Sequence, residues 1–573
     1  LKQRRASFYR LGGLFTEQRE KYDKKNERQI KVRFMTIQQG GNNVRKCLFA
    51  ALMCGLPVVA QDQSDTISPF DLRLEEKRRD RLIDKLEAAQ KRFSNTRPHN
   101  FPCEKHYLMN KGPWIEVSKI KIDQKDHLIP IGLDDIVDSY LNKPINSYEI
   151  CELNKSIQRR YVDEGFITTE IRLKRGSLHL EAKELEFQVS WGKVGQVRVN
   201  RRQVGTWRER FLLNSISPEK DSPLHISDID QIISNLSNGF LDAAVSVNAD
   251  EERFEYSDIE VILSESGRSQ HELNLEQPET SVSYNGILDG PLGNGDLFTL
   301  SLSAGYQARD TRDYMVGTSY SLPYGRNRYS FEFNAGQNET DLSHDPVLSK
   351  STHLNFEVDH KIKRSKTLTA FGAVEYRRKQ RYWGGYELYR GSEEYAKIRT
   401  GLKSLVTFNG GLIHSKVSYH SMFPLMHGKR HTHKLSASLV RSIKRPWADI
   451  NNEIGFQYAP NELPNTEKIT IGSRHTVRGI KSSDAESGDY GFYLSNTLSR
   501  SIASPFNLKL NIGIDVGMVY SLDRQDSQIL AGLILEVETG KSLPLDVRLT
   551  TSFPLANVED KKPWLSFGVK YKF

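Results

Sequence analysis

Long hydrophobic runs are what this sequence lacks. A helix that crosses a membrane needs about 18 or more consecutive apolar residues, and the one candidate run, Cys47 to Ala60, is too short. Hydrophobic residues make up only 37% of the 573, and the mean hydropathy is −0.56, which excludes a helical membrane protein. Cysteine is scarce, with four residues in all: Cys47, Cys54, Cys103 and Cys151. The motifs of common enzymes are also missing. There is no phosphate-binding loop, no dinucleotide-binding glycine spacing, no G-x-S-x-G elbow and no H-E-x-x-H helix. We therefore expect no catalytic residues, no cofactor and no metal.

What is present rules out a disordered chain. The sequence carries 24 Tyr, 25 Phe and 40 Gly, and aromatic and β-branched residues run throughout. The formal net charge of +9 invites a nucleic-acid reading, but its position argues against one. Residues 1–34 hold 11 basic and 4 acidic residues, and residues 35–60 hold Arg45, Lys46 and no acid. All nine charges lie in the first 60 residues, so no nucleic-acid partner is expected.

Those 60 residues read as an N-terminal extension and a secretory signal. Val44-Arg45-Lys46 is a basic lead, Cys47 to Met53 opens an apolar core, and Gly55 and Pro57 end it. Val58 and Ala60 are small residues suited to the −3 and −1 positions of a cleavage site. Met35, ten residues before Arg45, is the expected start. Export would leave Cys103 and Cys151 in an oxidising compartment, and we predict one disulfide between them. Two thiols alone are too few for a zinc site.

Past residue 60 the chain changes texture three times. Ser68-Pro69 suits a helix start, and the helix is expected to run to about Phe93 within a segment 61–93. Its apolar stripe (Leu82, Leu86, Ala89, Phe93) is thin and its charges many, which suits a wet cavity rather than a dry core. Residues 94–112 read as a linker. Residues 113–192 form a small α+β unit with a strand through Ile115 to Ile122, helices over Leu133 to Leu141 and Ile150 to Tyr161, and strands from Phe166 and through Leu185 to Trp191. Residues 193–267 are expected to repeat that order, with helices at Trp207 to Leu213 and Ile226 to Leu236.

From residue 268 to 573 the sequence alternates at period two in segments of about ten residues, and we count 16 of them. Tyr329-Phe331-Phe333 and Leu435-Ala437-Leu439 are examples. Connections alternate between tight ones, such as Lys444-Arg445-Pro446, and long ones, at 339–349, 380–391, 421–431, 459–489 and 554–563. That rhythm is the signature of a transmembrane β-barrel, and a soluble sandwich does not keep it over 16 strands. The last segment places Leu565, Phe567, Val569, Tyr571 and Phe573 on one face. A terminal aromatic on such a strand resembles the C-terminal recognition signal of outer-membrane barrels.

Several motifs then give a family resemblance. They are Ile469-Thr470-Ile471-Gly472, Thr476-Val477-Arg478-Gly479, Ser487-Gly488-Asp489 and Gly491 to Leu498, with Gly513-Ile514-Asp515-Val516-Gly517 on the next strand. Gly165 to Thr169 and Leu224 to Gln231 add to them. In these the chain resembles the TpsB transporters of two-partner secretion, the type that exports haemolysins, filamentous haemagglutinins and contact-dependent inhibition toxins. Ile480 stands where the family usually has Tyr.

The resemblance implies a plug helix at 61–93, two periplasmic POTRA domains at 113–192 and 193–267, and a 16-stranded barrel at 268–573. Its sixth external loop would fold into the lumen, with Val477, Arg478, Gly479 and Ile480 at its tip and Asp515 and Gly517 facing it. It implies secretion of an unfolded exoprotein of the adhesin, haemolysin or inhibition-toxin class. Outer-membrane lipids and the barrel-assembly machinery are the other expected partners. The nearest alternative is an assembly or insertion factor of the same superfamily. His427, His431 and His433 cluster after the ninth segment, but exposed loop histidines explain them better than a metal does.

Overall fold

The computed structural model describes residues 114–573, apart from segments 125–130, 175–182, 201–214, 503–507, 540–544, 557–561 and shorter stretches. The signal segment, the charged helix, the linker, Cys103, His427 and the helix expected at Trp207 to Leu213 lie outside the described residues.

The first module runs β1 (Ile115–Val117), β2 (Lys119–Asp123), α1 (Asp134–Asp138), β3 (Lys143–Ile145), α2 (Ser147–Asp163), β4 (Glu170–Leu173) and β5 (Glu184–Ser190). Helix α2 starts at a capping box: Asn146 accepts from the backbone of Tyr148 and Glu149, and the Glu149 carboxylate accepts from Asn146 N–H. Its apolar stripe, Leu153, Ile157 and Tyr161, is fully buried against Leu185, Phe187 and Val189 of β5. Burial pushes the Tyr161 hydroxyl up to about 12.

Two expectations for this module are corrected. The strand expected through Ile115 to Ile122 is two strands in different sheets: β1 pairs with β3, and β2 pairs in parallel with β5. The apolar positions shift from odd (Ile115, Val117) to even (Ile120, Ile122), and the chain bends at Ser118, where that shift falls. Phe166 does not begin a strand. Gly165 (φ +99°) follows the end of α2, with Phe166 N–H bonded to Tyr161 O and Gly165 N–H to Val162 O. This is a Schellman end, and Phe166 packs back on the core as its hydrophobic residue. The strand begins four residues later, at Glu170.

The second module has β6 (Lys193–Asn200), α3 (Ile226–Leu236), β7 (Leu241–Ala249) and β8 (Tyr256–Glu265), with sheet order β6-β8-β7. The first module's sheet β2-β5-β4 also has one parallel and one antiparallel pair. The modules meet at His225, which is buried. Its Nε2 lies 2.8 Å from Glu164 O, and its Nδ1 accepts from Ser227 N–H at the start of α3.

The barrel strands are β9 (Ser269–Gln277), β10 (Thr280–Asp289), β11 (Leu297–Gln307), β12 (Thr311–Tyr324), β13 (Asn327–Leu342), β14 (Asp345–Lys361) and β15 (Leu368–Trp383). After the short β16 (Tyr386–Glu387) come β17 (Glu393–Phe408), β18 (Gly411–Pro424), β19 (Thr432–Lys444) and β20 (Asp449–Tyr458). A small hairpin, β21 (Ile469–Ile471) and β22 (Glu486–Gly488), precedes β23 (Tyr490–Ser501), β24 (Lys509–Ser521), β25 (Asp526–Glu538), β26 (Leu545–Ala556) and β27 (Trp564–Lys572). Counting β16 as a hairpin extension of β15, 16 antiparallel strands close when β27 pairs with β9.

Alternation sorts the side chains. On β24, Ile512, Ile514 and Val516 face out, while Asn511, Gly513, Asp515 and Gly517 face in. The interior is polar, as Asn334, His353, Glu375 and Lys397 show. The long connections expected at 339–349 and 380–391 are mostly strand. Thr340 pairs with Val347, and Tyr382 with Glu387. The apolar alternation ends before the strands do, whereas the backbone ladder continues.

The second module fastens to one end of the barrel. Asp228 pairs with Arg326 at 2.9 Å, Asn235 Nδ2 donates to Gly325 O at 2.7 Å, and Arg328 donates to Ser234 O at 3.0 Å. Strand β9 starts at this end, so the 459–489 connection between β20 and β23 leaves from the far end.

Candidate functional site: a loop fastened inside the barrel

Residues 459–489 turn back into the barrel because part of the loop is apolar. Ile471, Val477 and Ile480 are buried against the inward-facing side chains of Tyr493, Val519 and Leu530. Full burial of such side chains is worth roughly 1.5–3 kcal/mol each. Ile480 is 4% exposed, so the branched residue at this position has its own apolar contacts. The β21–β22 pairing, Ile469 with Gly488 and Ile471 with Glu486, closes the base of the tip. Buried Asp489 ties the base to the wall by accepting from Leu463 N–H and Leu522 N–H, each at 2.7 Å.

Arg478 lies between Val477 and Gly479 and reaches β24. Its Nε donates to Asp515 Oδ2 at 2.6 Å, and a second guanidinium nitrogen donates to Oδ1 at 2.8 Å. Its backbone N–H also donates to Oδ2, at 2.9 Å. Two further guanidinium hydrogens go to Thr497 Oγ1 at 2.8 Å and Asn496 O at 3.0 Å on β23. Asp515, 1% exposed, also accepts from the Ser495 hydroxyl at 2.9 Å and Asn496 N–H at 3.0 Å. A bidentate fork fixes orientation as well as distance, which a lysine cannot do.

Glycines make the room. Gly479 has φ +92°, and a Cβ there would sit 2.9 Å from Leu533 O. Side chains at Gly513 and Gly517 would meet Arg478 and Val477 at 2.7 and 2.8 Å, and one at Gly532 would come within 1.9 Å of Arg478 O. The tip therefore rests in a glycine groove on β24 and β25. The sequence motifs contain Gly513, Gly517, Ser495 and Thr497, although Ser495 and Thr497 were given no partner there, and Gly532 was missed. The available signal for Gly532 was a glycine interrupting the apolar run Ile529 to Leu535. The structure adds a register shift there, between Ala531 and Gly532.

The other expected residues lie elsewhere. Tyr571 and Phe573 stack at 5.5 Å, and Phe573 exchanges two backbone hydrogen bonds with His271 at the barrel seam, each 3.0 Å. Cys151, on α2, is disulfide-bonded. His431 and His433 lie 4.2 Å apart between ring centroids and bond to Ser421 and Tyr419. Among the described residues no three His, Cys, Asp or Glu side chains are grouped to hold a metal.

Residues 270–539 match a family model described as haemolysin secretion/activation protein ShlB/FhaC/HecB, and residues 115–192 match the POTRA domain, ShlB-type. The hemolysin transporter protein ShlB of Serratia marcescens is 25% identical over 416 residues, 67% of this chain and 72% of its own. The outer membrane transporter CdiB of Escherichia coli O6:K15:H31 (strain 536 / UPEC) is 22% identical over 516 residues, 83% of this chain and 85% of its own. The solved structure of CdiB from Escherichia coli superposes with a TM-score of 0.74 at 19% identity, covering 89% of this chain and 99% of that one. This last likeness bears on the fold alone.

Proposed function

We propose that this chain, which belongs to the ShlB/FhaC/HecB family of two-partner secretion transporters, takes an unfolded exoprotein from the periplasm and threads it outward through its barrel. The protein is an outer-membrane barrel with its POTRA region in the periplasm. The exoprotein is of the haemolysin, adhesin or inhibition-toxin class, and the reading involves no bond-making chemistry.

The observation that carries this reading is the Arg478–Asp515 fork inside the lumen. A passive solute channel has no need of a loop pinned by three donors to one buried wall carboxylate. A transporter that must stay shut between clients and open for a chain does. Upstream, the POTRA sheets offer strand edges. With orders β2-β5-β4 and β6-β8-β7, each sheet has outer strands with one side unpaired among the described residues. An extended client can add to such an edge through main-chain hydrogen bonds, which tolerate any sequence. No nucleotide is available at the outer membrane, so folding of the emerging client supplies the drive.

Co-expression with a candidate exoprotein of that class provides the test. Wild type should place the exoprotein on the surface or in the medium. Arg478→Ala should insert a heat-modifiable barrel yet secrete at least tenfold less. Full secretion by that variant would overturn the role given to the fork.

A further inference from the structure

We infer that the loop is held by a second clasp, at Glu467, which acts as a positioning residue that keeps the outer mouth of the pore shut at rest. The inference concerns the resting pore and can be read without any client. Its failure is therefore separable from failure of the transport reading.

Glu467 ends a single 3-10 turn (Asn465–Glu467) on the loop and is 4% exposed. Its Oε1 accepts from the Tyr395 hydroxyl and from Lys397 Nζ, each at 2.7 Å. Its Oε2 is 2.8 Å from Lys434 Nζ, and Arg377 lies 3.8 Å from Oε1. The main chain is held at the same point. Lys434 and Gln457 donate to Glu467 O at 2.9 and 3.0 Å, and Arg377 donates to Thr466 O at 3.2 Å. Glu393 accepts from Asn465 N–H at 2.6 Å and from the Thr466 hydroxyl at 3.0 Å.

Three observations make this a clasp rather than ordinary lumen polarity. First, cations from three separate strands, β15, β17 and β19, converge on one carboxylate that belongs to none of them. A buried carboxylate is tolerated only when paired in this way. Second, the wall does not need Glu467 for its own integrity. The ladder from β15 through β17, β18, β19 and β20 is complete without it, and the strand residue Glu375 already pairs with Lys397 at 2.7 Å and Arg399 at 3.0 Å. Third, the site is distinct from the fork. Arg478 grips β24, whereas Glu467 grips β17 and β19, and β17 and β24 are five places apart in the ring. One loop is thus fastened to two parts of the wall. The clasp lies near the far end, because Tyr395 and Lys434 are each the third residue of a strand that starts there.

The test is single-channel recording of the purified full-length protein in planar lipid bilayers. Glu467→Gln should raise open probability at least threefold over wild type, with heat-modifiable migration unchanged. Lys434→Gln, which removes a wall partner instead, should open the pore in the same direction and serves if the first variant fails to assemble. Glu467→Asp keeps the charge and should lie closer to wild type than Gln does. Combining Glu467→Gln with Arg478→Ala should open the pore more than either change alone. Wild-type gating in both Glu467→Gln and Lys434→Gln, or a double variant no more open than Arg478→Ala, would overturn the second clasp.

Discussion

Arg478 holds the loop tip to Asp515, and replacing it separates charge from geometry. Arg478→Lys keeps the charge but cannot reach Asp515 twice and still satisfy Thr497 and Asn496. We expect it to behave closer to Ala than to Arg in secretion. Breaking a buried pair from one side costs about 3–5 kcal/mol, enough to release a loop tip without unfolding a 16-stranded ladder. Gly532→Val makes the complementary test, since its Cβ would fall 1.9 Å from Arg478 O. It should displace the tip while Arg478 and Asp515 remain, raising protease cleavage within 472–485 in intact cells. Cleavage equal to wild type would contradict the glycine groove. Arg478 and Asp515 were legible in the sequence because each sits in a motif. Gly532 and Glu467 were not, because their importance comes from strand register and loop path, which bring together residues far apart in the chain.

Individual elements were read best where burial imposes a period. Outward apolar positions such as Ile512, Ile514 and Val516 alternate because lipid faces one side of the wall and water the other. The extensions of β13, β14 and β15 beyond that band were hidden, because backbone pairing leaves no hydrophobic pattern. The bend at Ser118 was recoverable from the shift of apolar parity between Val117 and Ile120. Two predictions belong at this scale. Gly165→Ala combines an unfavourable φ of +99° with a Cβ 2.4 Å from His225 Nε2. It should loosen the joint between the modules, seen as faster limited proteolysis between 164 and 226 in the full-length protein. Deleting Phe573 removes two backbone hydrogen bonds at the seam and the stacking on His271 and Tyr571. It should lower the yield of heat-modifiable barrel several-fold, and an unchanged yield would count against a role for the terminal aromatic in closure.

Taken whole, the molecule joins its N-terminal modules to the barrel through a short polar contact. Asp228, Ser234 and Asn235 of α3 meet Arg326, Arg328 and Gly325 at the barrel's inner end. The sequence suggested two modules and a barrel but gave no sign of this contact, whose residues lie about 90 or more positions apart. Low mean hydropathy follows from a wall whose inner half is polar. The central claim is that the exoprotein passes through this lumen. Ala373 and Val374 are neighbours on β15, the first facing in at 5% exposure and the second out at 58%. A photo-crosslinking amino acid placed at each, in cells secreting the exoprotein, tests the claim most directly. The account predicts crosslinks to the exoprotein from position 373 and none from 374. Secretion with no crosslink from 373, or equal crosslinks from both, would contradict passage through the barrel.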